Sequence, residues 1–296
     1  VISRYGLEGI LPKNVRMIHG PGCPVCVMPI GRIDSAIELA LEHGVILCTY
    51  ADTMRVPASK GLSLMKAKAQ GGDIRMIYSA ADCLDIARAN PDKNVVFFAI
   101  GFETTTPATA VVLKQAKAEG LKNFFVFCNH VLTPPAMRHI LKNQEKVHIE
   151  GFVGPAHVST IIGSEPYETF AKDYSKPVVI AGFEPLDMLQ SILMLIRQIN
   201  RGEAEVENEF TRAVRPEGNM KAIRMMEEVF ALRDSFEWRG LGSVPKSALK
   251  LSDAYSDFDA EKHFNLVYRS VPDNKACECG AILRGEKQPS DCRAFG

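Results

Sequence analysis

Seven short apolar runs recur through the first 182 residues, at a spacing of roughly 20 to 30 residues. The runs span residues 15–18, 45–50, 74–78, 94–100, 124–128, 150–153 and 177–182. Polar or turn-forming residues follow each run, and a segment of helical periodicity comes next. Continuous apolar runs are typical of strands covered on both faces, as parallel strands are. The pattern predicts an α/β fold with parallel sheets and helices on both faces.

Helix signals between the runs support this alternation. Two helical segments end at Gly44 and Gly120, and a third stops at Pro91. Residues 94–107 and 176–187 share an apolar run, then Gly-Phe-Glu, then a proline that opens a helix. We interpret this repeated sequence pattern as an indication of two similar α/β domains.

Domain boundaries follow from the same patterns. We predict a first α/β domain over residues 1–92 and a second over residues 93–186. After residue 186 helical periods dominate. The remaining residues, 187–296, are predicted to form a mostly helical C-terminal part that ends in a Cys-rich tail.

Charge and hydropathy argue against two classes of partner. The 35 Lys and Arg residues balance the 35 Asp and Glu residues, so no field attracts phosphate backbones or anionic lipid. No apolar stretch approaches the ~20 residues of a membrane helix, and no signal-peptide pattern opens the sequence. We expect a cytoplasmic protein that binds neither nucleic acid nor membrane. Its eight cysteines are then expected to be thiols, metal ligands or redox groups.

Reactive or polar side chains follow the predicted strands. In parallel sheets ligands bind at the carboxyl ends of strands, so these residues are candidates for one site. The alternative is that they only cap helices and form turns. The candidates are His19, Cys23, Cys26, Asp52, Arg55, Glu103, Thr104, Thr105, Cys128, Asn129, His130, His157, Ser159, Glu184 and Asp187.

The motif HGPGCPVC, residues 19–26, holds two cysteines three positions apart. Pro24 fixes the backbone between them, and the preceding glycines allow a sharp turn. A Cys-X-X-Cys pair at a helix start has a lowered thiol pKa. A redox dithiol, half of a metal site and two structural cysteines remain possible. A zinc site is the weakest alternative, because the next cysteine cluster lies about 250 residues away.

A second cysteine cluster closes the chain at Cys277, Cys279 and Cys292. Thiolates are the preferred donors for iron–sulfur clusters and zinc. Three cysteines leave the fourth ligand unassigned, and thiols of a disordered tail are the alternative.

The sequence has no P-loop, no G-x-G-x-x-G after a strand, no H-E-x-x-H and no serine elbow.

Several blocks of the sequence, spread over essentially the whole chain, resemble the HypD family of hydrogenase maturation factors. In chain order they are HGPGCPVC, DTMRVP, IGFETTTPATA, NHVLTPPAM, GPAHVSTIIG, PVVIAGFEPLD, AEVENEFTRAVRPEGN, WRGLGSVP and the CECG tail. The resemblance implies two α/β domains plus a cluster-bearing part. It also implies a metallocentre-assembly protein with redox activity rather than an enzyme acting on small molecules.

In that family the product is the Fe(CN)2CO group of [NiFe]-hydrogenases. The resemblance implies a HypC-type chaperone and a HypE-type cyanide donor as partners, and a [4Fe–4S] cluster as cofactor. It makes Cys23 and Cys26 the redox pair and transient ligands of the iron. Cys277, Cys279 and Cys292 become candidate cluster ligands. The cleft or a partner surface would be lined by Glu103, Thr104, Thr105, Asn129, His130, His157, Glu184 and Asp187.

This sequence departs from the family pattern in a few places. It starts after the family's Cys-Gly-Thr-His-Thr segment and stops before further cysteines, so we expect both termini to be missing. Ala51 and Ala58 replace usual glycines, and the residues before His157 read Gly-Pro-Ala. The rival functions are a stand-alone thiol–disulfide oxidoreductase and a metal-binding scaffold without redox activity.

Overall fold

The computed structural model describes residues 1–142, 148–273 and 277–292. In this part of the chain the strands form two parallel sheets and two antiparallel pairs. Helices cover the sheets, and the predicted α/β class is confirmed.

The first sheet has four parallel strands. The elements around it are α1 (Pro24–Val27), α2 (Ile30–Leu41), β1 (Ile46–Thr49), α3 (Leu64–Ala69), β2 (Ile74–Met76), α4 (Asp82–Ala89), β3 (Val95–Gly101), α5 (Thr106–Glu119), β4 (Phe124–His130) and α6 (Thr133–Lys142). The strand order is β2-β1-β3-β4. The direction of winding reverses between β1 and β3, and ligands bind at such a switch point in open α/β sheets.

Both faces of this sheet are buried, which explains its continuous apolar runs. Along β3, Val96 and Phe98 belong to the core on the α2 side. Their neighbours Val95 and Phe97 belong to the core on the α5 side. All four side chains have no exposed surface. Alternate residues therefore serve opposite cores.

Residues 15–18 form no strand, so that prediction was wrong. The Arg16 guanidinium donates a hydrogen bond to the Gly285 carbonyl at 3.1 Å. Ile18 also lies beside Gly285. Ile18 therefore packs on the C-terminal tail and not in a sheet. A four-residue apolar run does not specify which part of the chain will cover it.

The second sheet has three parallel strands in the order β5-β6-β7. The elements around it are β5 (Phe152–Gly154), α7 (Ala156–Ile162), α8 (Glu168–Tyr174), β6 (Val178–Ile180), α9 (Pro185–Arg201) and β7 (Val206–Asn208). Its core is built on Tyr167 and Phe170, both fully buried.

The sheets are divided differently from the predicted domains. Strands on both sides of the predicted boundary at residue 92 share the first sheet, and β7, from the predicted C-terminal part, pairs with β6. The change of sheet falls between β4 and β5. A helical crossover has the same sequence pattern whether it returns to one sheet or starts another, so the pattern could not place this division.

The C-terminal region contains the predicted helices and also short strands. Its elements are α10 (Met220–Val229), β8 (Phe230–Leu232), β9 (Ser235–Trp238), β10 (Gly242–Pro245), β11 (Leu249–Leu251), α11 (Ala260–His263) and α12 (Cys279–Leu283). The pairs β9–β10 and β8–β11 are antiparallel. The Leu132 N–H donates to the Ser247 carbonyl at 2.8 Å. This region thus covers the edge of the first sheet along β4.

The longest helix of the described residues, α9, has 17 residues. Within these ranges, no helix combines the length and the apolar character that spanning a membrane requires.

Short turns of 3-10 helix occupy Leu7–Ile10, Ala51–Arg55, Ser59–Gly61, Glu165–Tyr167, Asp253–Phe258 and Pro289–Asp291.

Candidate functional site

The two cysteines of HGPGCPVC are in direct contact. Cys23 is the N-cap of α1, and Pro24 takes the first helical position. The Cys26 thiol donates to the Cys23 sulfur at 2.7 Å, and the Cys26 N–H donates to the same sulfur at 3.3 Å. Cys23 is partly exposed and Cys26 is exposed. The pair is thus accessible from solvent.

These hydrogen bonds make the two thiols chemically unequal. The thiol of Cys26 lowers the pKa of Cys23 to about 6, and the N–H groups of Cys26 and Val25 act in the same direction. Partial burial and the charge of Asp52 oppose this shift. The same contact raises the pKa of Cys26. With a pKa of about 6, Cys23 is largely ionised at neutral pH, and the thiolate is the form of cysteine that acts as a nucleophile or binds metal.

The pair lies at the carboxyl edge of the first sheet. The helix α1 packs against β3, and Asp52 follows β1 within electrostatic range of Cys23. Because β1 and β3 flank the switch point of the strand order, this is the position where the fold places a ligand.

The turn after β9 joins the two cysteine motifs. The Arg239 N–H donates to the Val27 carbonyl, at the end of α1, at 2.8 Å. The next residue, Gly240, has a φ of 78° and lies against the backbone of Cys279 and Gly280. A Cβ on Gly240 would be 2.6 Å from the Gly280 nitrogen. Only glycine permits this approach of α12 to the turn.

The tail thiols interact with one another and with the first pair. Burial raises the pKa of Cys279 to about 11, and a hydrogen bond with Cys277 and the charge of Cys292 add to this shift. Charge on Cys279 in turn raises the pKa of Cys26. The fold thus brings residues about 250 positions apart into one thiol-rich site.

The donor set of this site is that of an iron–sulfur cluster. Cys277, Cys279 and Cys292 are half-buried thiols, and thiolates are the usual ligands of such clusters. In residues 1–142, 148–273 and 277–292, however, no three His, Cys, Asp or Glu side chains are arranged to hold a metal ion. The residues fit the group by donor chemistry, and the described ranges supply fewer than four ligands from the tail.

Glu103 follows β3 and is buried. Its carboxylate accepts hydrogen bonds from the Thr133 N–H at 2.8 Å and the Thr133 hydroxyl at 3.0 Å. Burial raises its pKa to about 7, although these hydrogen bonds oppose the shift. Tyr167 of the second sheet's core lies within electrostatic range of Glu103 and contacts the Ser159 hydroxyl at 3.3 Å. Two buried polar pairs, one from each sheet's unit, therefore lie within electrostatic range of each other.

Asn129 and His130 end β4 and are buried. The His130 Nε2 shares a hydrogen bond with the Thr109 hydroxyl at 2.9 Å, and its ring meets Phe230 edge-on. Burial lowers the pKa of His130 to about 4. The Asn129 Oδ1 and the His130 Nδ1 have no partner among the described residues. Both side chains lie in the interior of the first sheet's unit.

His157, Glu184 and Asp187 lie on the second sheet's unit. Glu184 and Asp187 form the capping box at the start of α9, and Asp187 also pairs with Arg212. This ion pair lowers the pKa of Asp187. The exposed His157 ring lies 3.9 Å from the ring of Phe183. His157 thus lies beside the segment that leads into α9, which Glu184 and Asp187 cap.

The other predicted site residues occupy several environments. His19, Arg55 and Thr104 are exposed. The Thr105 hydroxyl donates to the Phe102 carbonyl at 3.2 Å. Burial raises the pKa of Cys128 to about 11, and its thiol donates to the Leu249 carbonyl at 3.4 Å.

Arg239 and Thr133 belong to these networks, although neither was a predicted site residue. Arg239 lies in the block WRGLGSVP, and Thr133 lies in NHVLTPPAM. Both blocks carried the family resemblance, which was the available signal. Their roles depend on contacts across more than a hundred residues or across a strand connection, which spacing along the chain does not encode.

The fold and the site define a class of protein. It is a doubly covered parallel α/β protein in which a Cys-X-X-Cys pair at the switch point meets a cysteine-rich tail. The family model for HypD, described as "Hydrogenase formation hypA family", matches residues 1–296. The chain belongs to the HypD family, as its sequence blocks predicted.

Hydrogenase maturation factors are similar to this chain over nearly its full length. The HypD factor of Cupriavidus necator is 65% identical over 99% of this chain and 79% of its own length. That of Azotobacter vinelandii is 62% identical over 100% of this chain and 79% of its own. That of Escherichia coli K12 is 45% identical, with the same coverage.

Proposed function

We propose that this chain is a thiol-based redox scaffold for assembly of the Fe(CN)2CO group of [NiFe]-hydrogenases in the cytoplasm. Its partners would be a HypC-type chaperone and a HypE-type cyanide donor. The observation that carries the proposal is the Cys23–Cys26 pair, partly exposed at the switch point, with the pKa of Cys23 lowered to about 6. Family membership supports the product, since the relatives are named hydrogenase maturation factors.

In this proposal Cys23 and Cys26 have different tasks. The Cys23 thiolate binds the iron that is the substrate, because thiolates are good donors for soft, low-valent iron. Cys26 holds the proton and stabilises the thiolate through the 2.7 Å contact. Because the two sulfurs are adjacent, the pair could also form a disulfide reversibly.

Cys277, Cys279 and Cys292 would hold an iron–sulfur cluster, which supplies one-electron redox capacity when bound. The partly buried position of their thiols would limit access of water and oxidants to that group. Their proximity to Cys26, through the contact of Gly240 with α12, supports a shared role for the two motifs.

An exposed aromatic surface on the second sheet's unit supports partner binding. Phe183 is 40% exposed and Leu186 is 75% exposed, next to the exposed His157. Large apolar side chains that lie together at a surface are typical of protein contacts. We propose this surface for one of the maturation partners.

The test is hydrogenase maturation in a host that lacks its own copy of this factor. Cys23→Ser and Cys26→Ser should each lower hydrogenase activity at least a hundredfold, because neither variant can form the Cys23–Cys26 disulfide. Cys83→Ala, in the core of the first sheet's unit, is the control and should retain activity. Normal maturation by the Cys23 and Cys26 variants, at equal protein levels, would refute the redox-pair proposal.

The accessible pair of unequal thiols also favours a second candidate, a stand-alone thiol–disulfide oxidoreductase. That function predicts reduction of generic disulfide substrates by the purified chain without partners. Turnover of such substrates, together with normal hydrogenase maturation in the Cys23→Ser strain, would favour this candidate over the scaffold.

A further inference from the structure

Arg239 carries buried hydrogen-bond donors that nothing in the described part of the chain accepts. These are its Nε and Nη2 groups, on a side chain that is only 13% exposed. Asp273 is close, with its Oδ1 at 3.3 Å from Nε, but the two do not form a hydrogen bond. A buried donor without an acceptor destabilises the folded chain, and a charged donor does so more strongly. The arrangement is therefore incomplete without an acceptor.

The position of Arg239 indicates where that acceptor belongs. The backbone N–H of Arg239 donates a hydrogen bond to the Val27 carbonyl at the end of α1, and the next residue, Gly240, contacts the backbone of Cys279. The guanidinium also acts electrostatically on both the Cys26 and the Cys279 thiols. It is thus the cation at the junction of the two cysteine motifs.

A second arginine at the same junction provides a contrast. The Arg284 Nη1 donates to the Gly240 carbonyl at 3.4 Å, and its Nε donates to Glu286 at 2.9 Å. Arg284 thus links α12 to the turn after β9, through Gly240, and to Glu286 just beyond the helix. Arg239 has a similar location and an ion pair with Asp273, but its Nε and Nη2 have no hydrogen-bond acceptor among the described residues, so holding the turn in place does not account for them.

We propose that Arg239 is the anion-binding residue of this site. Its Nε–H and Nη2–H donate hydrogen bonds to acceptor atoms of an anionic iron complex held among the surrounding thiols. The acceptors are the nitrogen atoms of iron-bound cyanide or the sulfides of an iron–sulfur cluster. Two adjacent donors in a planar fork suit such an anion better than a lysine ammonium would. The inference rests on the proposed function for the presence of iron in the site.

The first arm of the test measures the sulfide alternative. The full chain and its Arg239→Met, Arg239→Lys and Arg284→Met variants are reconstituted anaerobically with ferrous iron and sulfide. Their midpoint potentials are then compared by redox titration followed by electron paramagnetic resonance. Loss of the cation and its hydrogen bonds in Arg239→Met should lower the equilibrium constant for reduction about tenfold, or 59 mV for one electron. Arg239→Lys should shift less. Arg284→Met, which removes a contact of α12 but keeps the Arg239 donors, should also shift less than Arg239→Met.

The second arm measures the cyanide alternative. Metal-free chain is titrated with ferrocyanide, an iron anion that presents cyanide nitrogens, by calorimetry and by the infrared C–N stretch. Arg239→Met should bind the probe at least tenfold more weakly than the wild type and Arg284→Met, because charged hydrogen bonds are lost. Arg239→Lys, which keeps the charge, covers the case in which Arg239→Met does not fold.

The two arms separate the sources and the proposals. An effect of Arg239 on the potential assigns the sulfide acceptor, and an effect on ferrocyanide binding assigns cyanide. Potentials and affinities that are equal in folded wild type, Arg239→Met and Arg239→Lys overturn the inference. If the wild type takes up no iron and sulfide, the cluster part of the proposed function fails, and the ferrocyanide arm alone decides the role of Arg239.

Discussion

The sulfur of Cys23 accepts hydrogen bonds from both the thiol and the N–H of Cys26. The two cysteines of the motif therefore differ chemically, because one thiol becomes the anion and the other keeps its proton. The cause is local, since α1 begins at Pro24 and directs its first N–H groups at the preceding side chain.

Replacing Cys26 by Ala should raise the pKa of Cys23 from about 6 toward its ordinary value of 9.0, because the largest stabilising contact of the thiolate is lost. The measurement is the pH dependence of Cys23 alkylation, followed by mass spectrometry. Cys26→Ser keeps a hydroxyl donor and is the control. An unchanged profile in Cys26→Ala would contradict the assigned cause.

Glu103→Gln should change how stability depends on pH. The pKa of Glu103 is about 7 when folded against an ordinary 4.5, so the folded state binds more protons between these values. Stability contributed by this group is therefore present below pH 4.5 and is lost as pH rises through 7. The loss is about 3 kcal/mol at pH 8. Gln keeps an acceptor for Thr133 and should remove the slope, as urea unfolding at pH 5 and pH 8 would show. Parallel curves for the two proteins would rule this out.

Secondary-structure elements determine how the two cysteine motifs meet. The tail helix α12 is only five residues long, and too short to be stable by itself. It is positioned by the turn between β9 and β10, where Gly240 and Gly280 allow two backbones to touch.

Gly240→Ala should displace α12 from this turn. An added Cβ would meet the Gly280 nitrogen at 2.6 Å, in addition to the strain of a φ of 78°. Gly242→Ala is a matched control, because its φ is 73° and nothing lies within 4 Å of an added Cβ. We expect at least tenfold faster alkylation of Cys279 in Gly240→Ala than in Gly242→Ala. Equal rates would show that the contact does not hold the tail.

Across the whole molecule, the C-terminal strands complete the core of the first sheet. Trp238 is 1% exposed, packs 6.2 Å from Phe102 between ring centres, and donates to the Ser247 hydroxyl at 2.8 Å. The chain around β8 to β11 is therefore part of the same folding unit as β1 to β4, although β4 ends at His130 and β8 begins only at Phe230.

Trp238→Ala should lower the free energy of unfolding by about 3–5 kcal/mol, as expected for truncating a large buried aromatic side chain. Tyr78→Ala, at a side chain that is 99% exposed, should change it by less than about 0.5 kcal/mol. Urea unfolding measured by circular dichroism compares the two. A small effect of Trp238→Ala would mean that the C-terminal strands fold independently of the first sheet.

The sequence was sufficient for the local features of this protein. Strands occupy six of the seven apolar runs, and α5 ends at Gly120 in the left-handed conformation that its sequence predicts. These features follow from short-range physics, since burial on two faces requires continuous apolar runs and a helix end favours glycine. The unequal thiols of the Cys-Pro-Val-Cys motif likewise depend on contacts within four residues.

Tertiary packing determined which strands share a sheet, what covers residues 15–18, and which strand-end residues meet. It left Glu184 and Asp187 as helix caps, buried His130 in the interior, and brought Arg239 between Cys26 and Cys279. The physical reason is that burial is not directional: an apolar or polar side chain specifies that it needs a partner but not which distant residue supplies it. The pairing of distant residues is therefore fixed only in the folded chain.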